Sequence, residues 1–222
     1  LYADTKIVLS SGDSGNQYDD VGGIVGCING CNTKDGCKPP IINGCVFTGT
    51  ISAPYGDNVG GIVGLSQYTG QLAPVISDCV VISENLEFGK DYVKGDHNTG
   101  LGGIAGNLYS NTAGEADAST VTNCYVAAKI VALEADNTSK QTNVGGIVGA
   151  SCDQTKTYTN CQFDGIIVGA ATYRRTAGIL GRSNANTNFT NCVVSGIALG
   201  MDNSSNLNAS RLGGTGSVPV SY

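Results

Sequence analysis

The phrase VGGIVG occupies positions 21–26 and returns letter for letter at 59–64 and 144–149. Near-copies stand at 101–106 (LGGIAG) and 176–181 (TAGILG). A chain that repeats one phrase at intervals of this size is an array in which one unit is laid on copies of itself. Aligning the copies puts Ile24, Ile62, Ile104, Ile147 and Ile179 at one position. A second phrase follows each copy: INGCVFTGTI from Ile42, ISDCVVISEN from Ile76, VTNCYVAAKI from Val121, YTNCQFDGII from Tyr158 and FTNCVVSGIA from Phe189. It brings Cys45, Cys79, Cys124, Cys161 and Cys192 into one register.

Counting outward from that cysteine shows what the second phrase is. Two residues on stand Phe47, Val81, Val126, Phe163 and Val194; four on, the small Gly49, Ser83, Ala128, Gly165 and Gly196. Six on stand Ile51, Asn85, Ile130, Ile167 and Ala198, with Asn85 the one polar exception. The odd positions are mixed. Period-two alternation marks a strand with one buried face, and the cysteine belongs to the buried set as a small hydrophobe. The preceding Asp78, Asn123, Asn160 and Asn191 suit a bend, since Asn and Asp tolerate left-handed backbone; Gly44 does so in the first copy. The glycine phrase reads as a second strand, its paired glycines allowing a tight bend or a close approach of backbones.

Two strands per unit of roughly 31–45 residues, each lining up with its own copies, predict parallel coils stacked about 4.8 Å apart. One coil cannot bury its face alone, whereas stacked coils share a core. The expectation is an all-β fold: a parallel β-helix (β-solenoid) of about five to six coils with variable polar loops. It forms a single domain over 1–222, with a half-coil at 1–20, repeats starting near 21, 59, 101, 144 and 176, and a terminal half-coil at 211–222.

The phrase NVGGIVG resembles the GLUG repeat, found in large exported surface proteins and in a non-catalytic part of bacterial metalloproteases that cleave immunoglobulin A. The five copies extend the resemblance over nearly the whole chain. It implies a parallel β-solenoid in an exported, adhesin-like or structural setting, and it brings no catalytic residues. The zinc motif H-E-x-x-H of those metalloproteases is absent from this sequence.

Both ends read as half-coils. LYADTKIV from Leu1 aligns without gaps on CYVAAKIV from Cys124, with Ile7 matching Ile130. RLGGTG from Arg211 resembles the glycine phrase, with Leu212 in place of its first valine, and Val218 follows with no cysteine half behind it. The first residue is Leu and no signal-peptide pattern is visible, so a mature or trimmed piece is expected. The ends are complementary in phase. Either a longer solenoid was trimmed or the ends are caps, or the first and last half-coils (Leu1, Ile7; Leu212, Val218) join head to tail.

Composition narrows function by exclusion. A net charge of −6 and a pI near 4.6 argue against nucleic acid or an anionic membrane held through a basic patch. No apolar run approaches the roughly 20 residues that span a bilayer. Of the nine cysteines, four lie outside the shared register: Cys27, Cys31, Cys37 and Cys152. Cys31–Cys37 is the natural disulfide candidate in an exported chain, and Cys152 is free or intermolecular. The run CINGCNTKDGC with Cys45 is a weaker zinc candidate, lacking paired C-x-x-C spacing and any nearby histidine. The single His97 sits in a polar loop with no partner phrase for a nucleophile. Asp13, Asp19 and Asp20 lack the calcium-loop spacing, the remaining acids are scattered, and Arg174-Arg175 stands alone. Four glycosylation sequons occur, at Asn137, Asn188, Asn203 and Asn208. Tyr18, Tyr55, Tyr68, Tyr92 and Tyr109 lie in loop-like stretches, where tyrosine serves binding or covers a core.

The sequence therefore points to a non-enzymatic extracellular or cell-surface protein without cofactor or metal. It is either a subunit or segment of a surface fibre, partnered by itself, or an adhesin module binding a host or surface glycan or protein through its loops. A polysaccharide-active β-helix enzyme is the outsider.

Overall fold

The computed structural model describes residues 1–9, 20–29, 38–68, 73–88, 99–110, 119–133, 142–152, 156–169, 174–183 and 187–199. These residues form strands and connections only, with no helix among them. All strand pairs among the described residues are parallel and join successive repeats, in register except at one bulge, so the fold is a parallel β-helix.

Each coil has four faces rather than the two expected. The first face holds Asp20–Gly22, Asn58–Gly60, Gly100–Gly102, Thr142–Gly145 and Arg174–Ala177. The second holds Val25–Asn29, Val63–Tyr68, Ala105–Ser110, Val148–Cys152 and Leu180–Ser183. The third holds Ile41–Asn43, Val75–Ser77, Ser119–Thr122, Lys156–Thr159 and Thr187–Thr190. The fourth holds the stretches after each cysteine, from Val46 through Leu199, preceded by Tyr2–Ala3 and Lys6–Val8. The glycine phrase is thus strand, bend, strand, and the cysteine phrase likewise turns a corner at its cysteine.

The glycines make the first of these corners possible. A Cβ on Gly146 would collide with the carbonyl of Gly178 in the next coil and with the Phe163 ring across the core. Gly61 meets Gly103 and the Val81 methyls in the same way, the Cγ1 contact falling at 2.8 Å. The bend therefore presses its backbone onto the residue two places after the cysteine on the opposite wall. No side chain fits between them, and the cross-section closes on that contact.

The interior is a set of stacked rows. Ile62, Ile104, Ile147 and Ile179 are fully buried, and Ile24, in the first described coil of that row, is partly covered. Facing them are Phe47, Val81, Val126 and Phe163, with Val194 partly covered. Cys45, Cys79, Cys124 and Cys161 are buried and Cys192 is half-buried. Tyr158 and Phe189 stack with ring centroids 5.4 Å apart.

One expected core position is corrected. Six residues after Cys79 the sequence has Asn85, but the strand Val80–Phe88 slips its register between Ser83 and Leu86. Leu86, not Asn85, then pairs with Ile51 and Ile130 and is fully buried. The Ser83 hydroxyl holds the bulge, donating to the Gly49 carbonyl at 2.7 Å and accepting from the Asn85 amide at 3.3 Å. One inserted residue keeps the alternation in phase with the core.

The first residues form a rung of the fourth face: Tyr2 pairs with Val46, Lys6 with Thr50 and Ile7 with Ile51. Leu1 is 75% exposed, whereas Ile7 packs on the core. Leu212 and Val218 lie outside the described residues.

Two outcomes follow. Gly146→Val should cost on the order of 4 kcal/mol or prevent folding, because the clash is with backbone; Val148→Thr should cost about 1–3 kcal/mol, the price of a buried hydroxyl. Cys124→Asp should destabilise severely by burying an unpaired charge, whereas Cys124→Val should melt within a few degrees of the parent. Thermal unfolding followed by circular dichroism checks both; equal mild effects would refute the packing described.

Candidate functional site

The corner between the third and fourth faces bears two ordered rows, one on each side of the same backbone. Every coil turns there on one left-handed residue: Gly44 (φ 64°), Asp78 (54°), Asn123 (53°), Asn160 (53°) and Asn191 (51°). The left-handed turn sends the next side chain, always cysteine, into the core, and leaves the Asx side chain outside.

Outside, the Asx residues form a hydrogen-bonded ladder. Asn191 Nδ2 donates to Asn160 Oδ1 at 3.3 Å, Asn160 to Asn123 at 2.9 Å, and Asn123 to Asp78 Oδ1 at 3.0 Å. From the other side Asn43 Nδ2 donates to Asp78 Oδ2 at 2.7 Å. Asp78 thus receives donors from both directions, and a carboxylate, an acceptor at both oxygens, takes both. Main-chain amides run the other way, Asp78 N to Thr122 O at 3.0 Å and Asn123 N to Thr159 O at 2.9 Å. Asp78, Asn123 and Asn160 therefore each tie their coil to both neighbours.

Inside, each thiol donates to the carbonyl two residues before it, at 3.2 Å for Cys79, 3.4 Å for Cys124 and 3.5 Å for Cys161. Cys161 and Cys192 also reach a carbonyl of the preceding coil, Val121 O at 3.3 Å and Tyr158 O at 3.4 Å. All five are free thiols. Contacts with Cys161 and Cys79, then burial, push the Cys124 thiol up, and contact with Cys161 does the same to Cys192. Cys161 and Cys79 are lowered by the thiol contacts they accept, chiefly from Cys124.

The outer surface of the fourth face is knitted along the same axis. Tyr2 Oη and Thr48 Oγ1 lie 2.9 Å apart, Ser52 Oγ donates to Glu87 at 2.8 Å, and Ser195 Oγ donates to Asp164 at 2.7 Å, each between adjacent coils. Beside these links Ile166, Val168, Val193 and Ile197 are exposed on the same face, Ile166 and Ile197 paired across adjacent coils.

The remaining sequence candidates are dispersed. Cys27 is exposed on the second face whereas Cys45 faces the core, so the two do not meet as zinc ligands. Among the described residues no three His, Cys, Asp or Glu side chains converge on one point. Asp20 accepts from Asn58 Nδ2 at 2.8 Å. Asn188 is exposed on the last described strand of the third face. Cys31, Cys37, Asn137, Asn203, Asn208, His97, Asp13 and Asp19 lie outside the described residues. Sequence reasoning identified the bend but missed the ladder; the common register of Asp78, Asn123, Asn160 and Asn191 was the signal. Compared with known family models, curated proteins and solved structures, the chain matches none.

The ladder has a pH signature. Hydrogen bonds from Asn123 foremost, and from Asn43 and Ser77, hold the Asp78 carboxyl below its usual value of 3.8. Its folded value being the lower, its stabilisation is complete above that usual value and disappears as pH falls through the folded one. The Tm advantage of the parent over Asp78→Asn should therefore shrink between pH 6 and pH 2; a constant difference refutes the ladder. Asn123→Ala should cost about 1–3 kcal/mol, losing both hydrogen bonds and left-handed tolerance, and Asn123→Gly less, losing only the former.

Proposed function

We propose that this chain is a structural segment of an extracellular, cell-surface fibre whose coils continue head to tail through copies of itself. One observation supports the reading above others: the bonding is organised along a single axis. Four parallel sheets run through the described coils, and the corner ladder and the outer Tyr2–Thr48, Ser52–Glu87 and Ser195–Asp164 links each join a coil to its neighbour. Axial load is thereby shared among many hydrogen bonds in parallel. Unpaired edges of parallel sheets accept further strands, and a heterologous contact of that kind extends instead of closing. The resemblance to the GLUG repeat supports the surface setting. The proposal assigns the chain no catalytic step.

A second reading, a non-catalytic adhesin module binding glycan or protein, is favoured by the exposed Ile166–Ile197 pair with Val168 and Val193 on the same face, since exposed apolar surface serves interaction. Among the described residues no helix is long and apolar enough to cross a membrane.

Sedimentation velocity over a wide concentration range, with electron microscopy of the same samples, tests the fibre. Filaments are expected from the intact chain, and their loss on deletion of Leu1–Leu9 while the β-sheet spectrum persists. A single monomeric species at high concentration, with no filaments in the images, would leave the adhesin module.

A further inference from the structure

We propose that the column Cys45–Cys79–Cys124–Cys161–Cys192 is a binding site for two-coordinate soft monovalent cations of the Cu(I) and Ag(I) class, one in each gap between successive thiols. This goes beyond the structural reading and does not depend on it. The five thiols are all free and follow one another coil by coil in a parallel register. Strands of such a sheet lie about 4.8 Å apart. On the scale of a zinc–thiolate bond, roughly 2.3 Å, two metal–sulfur bonds set in line span about 4.6 Å, so an S–M–S bridge is of the size of the spacing between adjacent coils. Soft thiolates select this metal class. Because no three potential ligands converge among the described residues, a tetrahedral ion such as zinc finds no site there, and the pairwise spacing is what remains.

The charge balance favours filling the whole column. One cation in one gap replaces two thiol protons and leaves a bridge of net charge −1. Four cations in the four gaps replace five protons, each inner sulfur bridging two metals through its two lone pairs with the metal chain bent at sulfur, and the filled column still has net charge −1. Later cations therefore add no buried charge. Each thiol gives up its weak hydrogen bond to a carbonyl, 3.2–3.7 Å long, for a metal bond. Access is from the ends: Cys192 is half-buried, and Cys45 is 7% exposed whereas Cys79 and Cys161 are fully covered. Uptake should accordingly be slow.

The test is titration of the reduced, folded chain with silver nitrate in chloride-free buffer, followed by thiolate-to-metal absorption in the ultraviolet and by Tm. The geometry makes a prediction that independent thiols do not. Cys124→Val removes an inner thiol and both gaps beside it, so capacity should fall by two equivalents. Cys192→Val removes an end thiol and one gap, so capacity should fall by one. If both variants lose one equivalent, or neither loses any, the thiols act singly or not at all and the proposal is overturned. The same holds if silver lowers Tm, which would mean that it binds the unfolded chain. Should Cys124→Val fail to fold, Cys79→Val and Cys161→Val also remove inner thiols and should each lose two equivalents.

Discussion

The contact on which the rest depends is that between the bend of the glycine phrase and the wall opposite. Gly23, Gly61, Gly103 and Gly146 each bring bare backbone against Phe47, Val81, Val126 or Phe163. That distance sets the thickness of the coil where the bend meets the wall. The isoleucine row fills it from one side and the row two places after the cysteine fills it from the other. A larger bend residue would separate the walls and open a void along the core.

A thin coil also explains why the residue at the opposite corner is cysteine. The corner between the third and fourth faces turns on one left-handed residue and must bury the next side chain in a narrow angle. A small apolar group that can also satisfy a nearby carbonyl suits that angle, and a thiol does both. The Asx turn before it has the complementary task. Its side chain remains in solvent, where amide links to the neighbouring coils replace hydrogen bonds to water at little net cost.

Much of this was legible in the sequence because its signals are periodic. The register of Cys45 through Cys192, the alternation after it and the bend residues before it all recur five times, so chance agreement at one copy does not mislead. What escaped was whatever happens once. Asn85 looked like a polar intruder in the core because alignment without gaps cannot register a bulge; Leu86 takes its place only through the backbone slip at Ser83. The split into four faces was also hidden, because a glycine pair inside a phrase announces a bend without saying that strands continue on both sides. The hydrogen-bond ladder needed both facts together: a shared register and a turn that points the amides along the axis.

Asp78 shows how a single departure from the repeat can follow from its neighbours. Along the corner the amides of Asn191, Asn160 and Asn123 each donate toward the earlier coil. That direction needs an acceptor where it ends. The preceding corner residue is Gly44, which has no side chain to receive or return a bond, and its neighbour Asn43 reaches across as a donor instead. Two donors therefore point at the second corner from opposite sides. A carboxylate there accepts both as they stand, with no turn of the Asn43 amide needed. The Asp at this one repeat thus matches the two donors that meet there, beside the glycine one coil earlier.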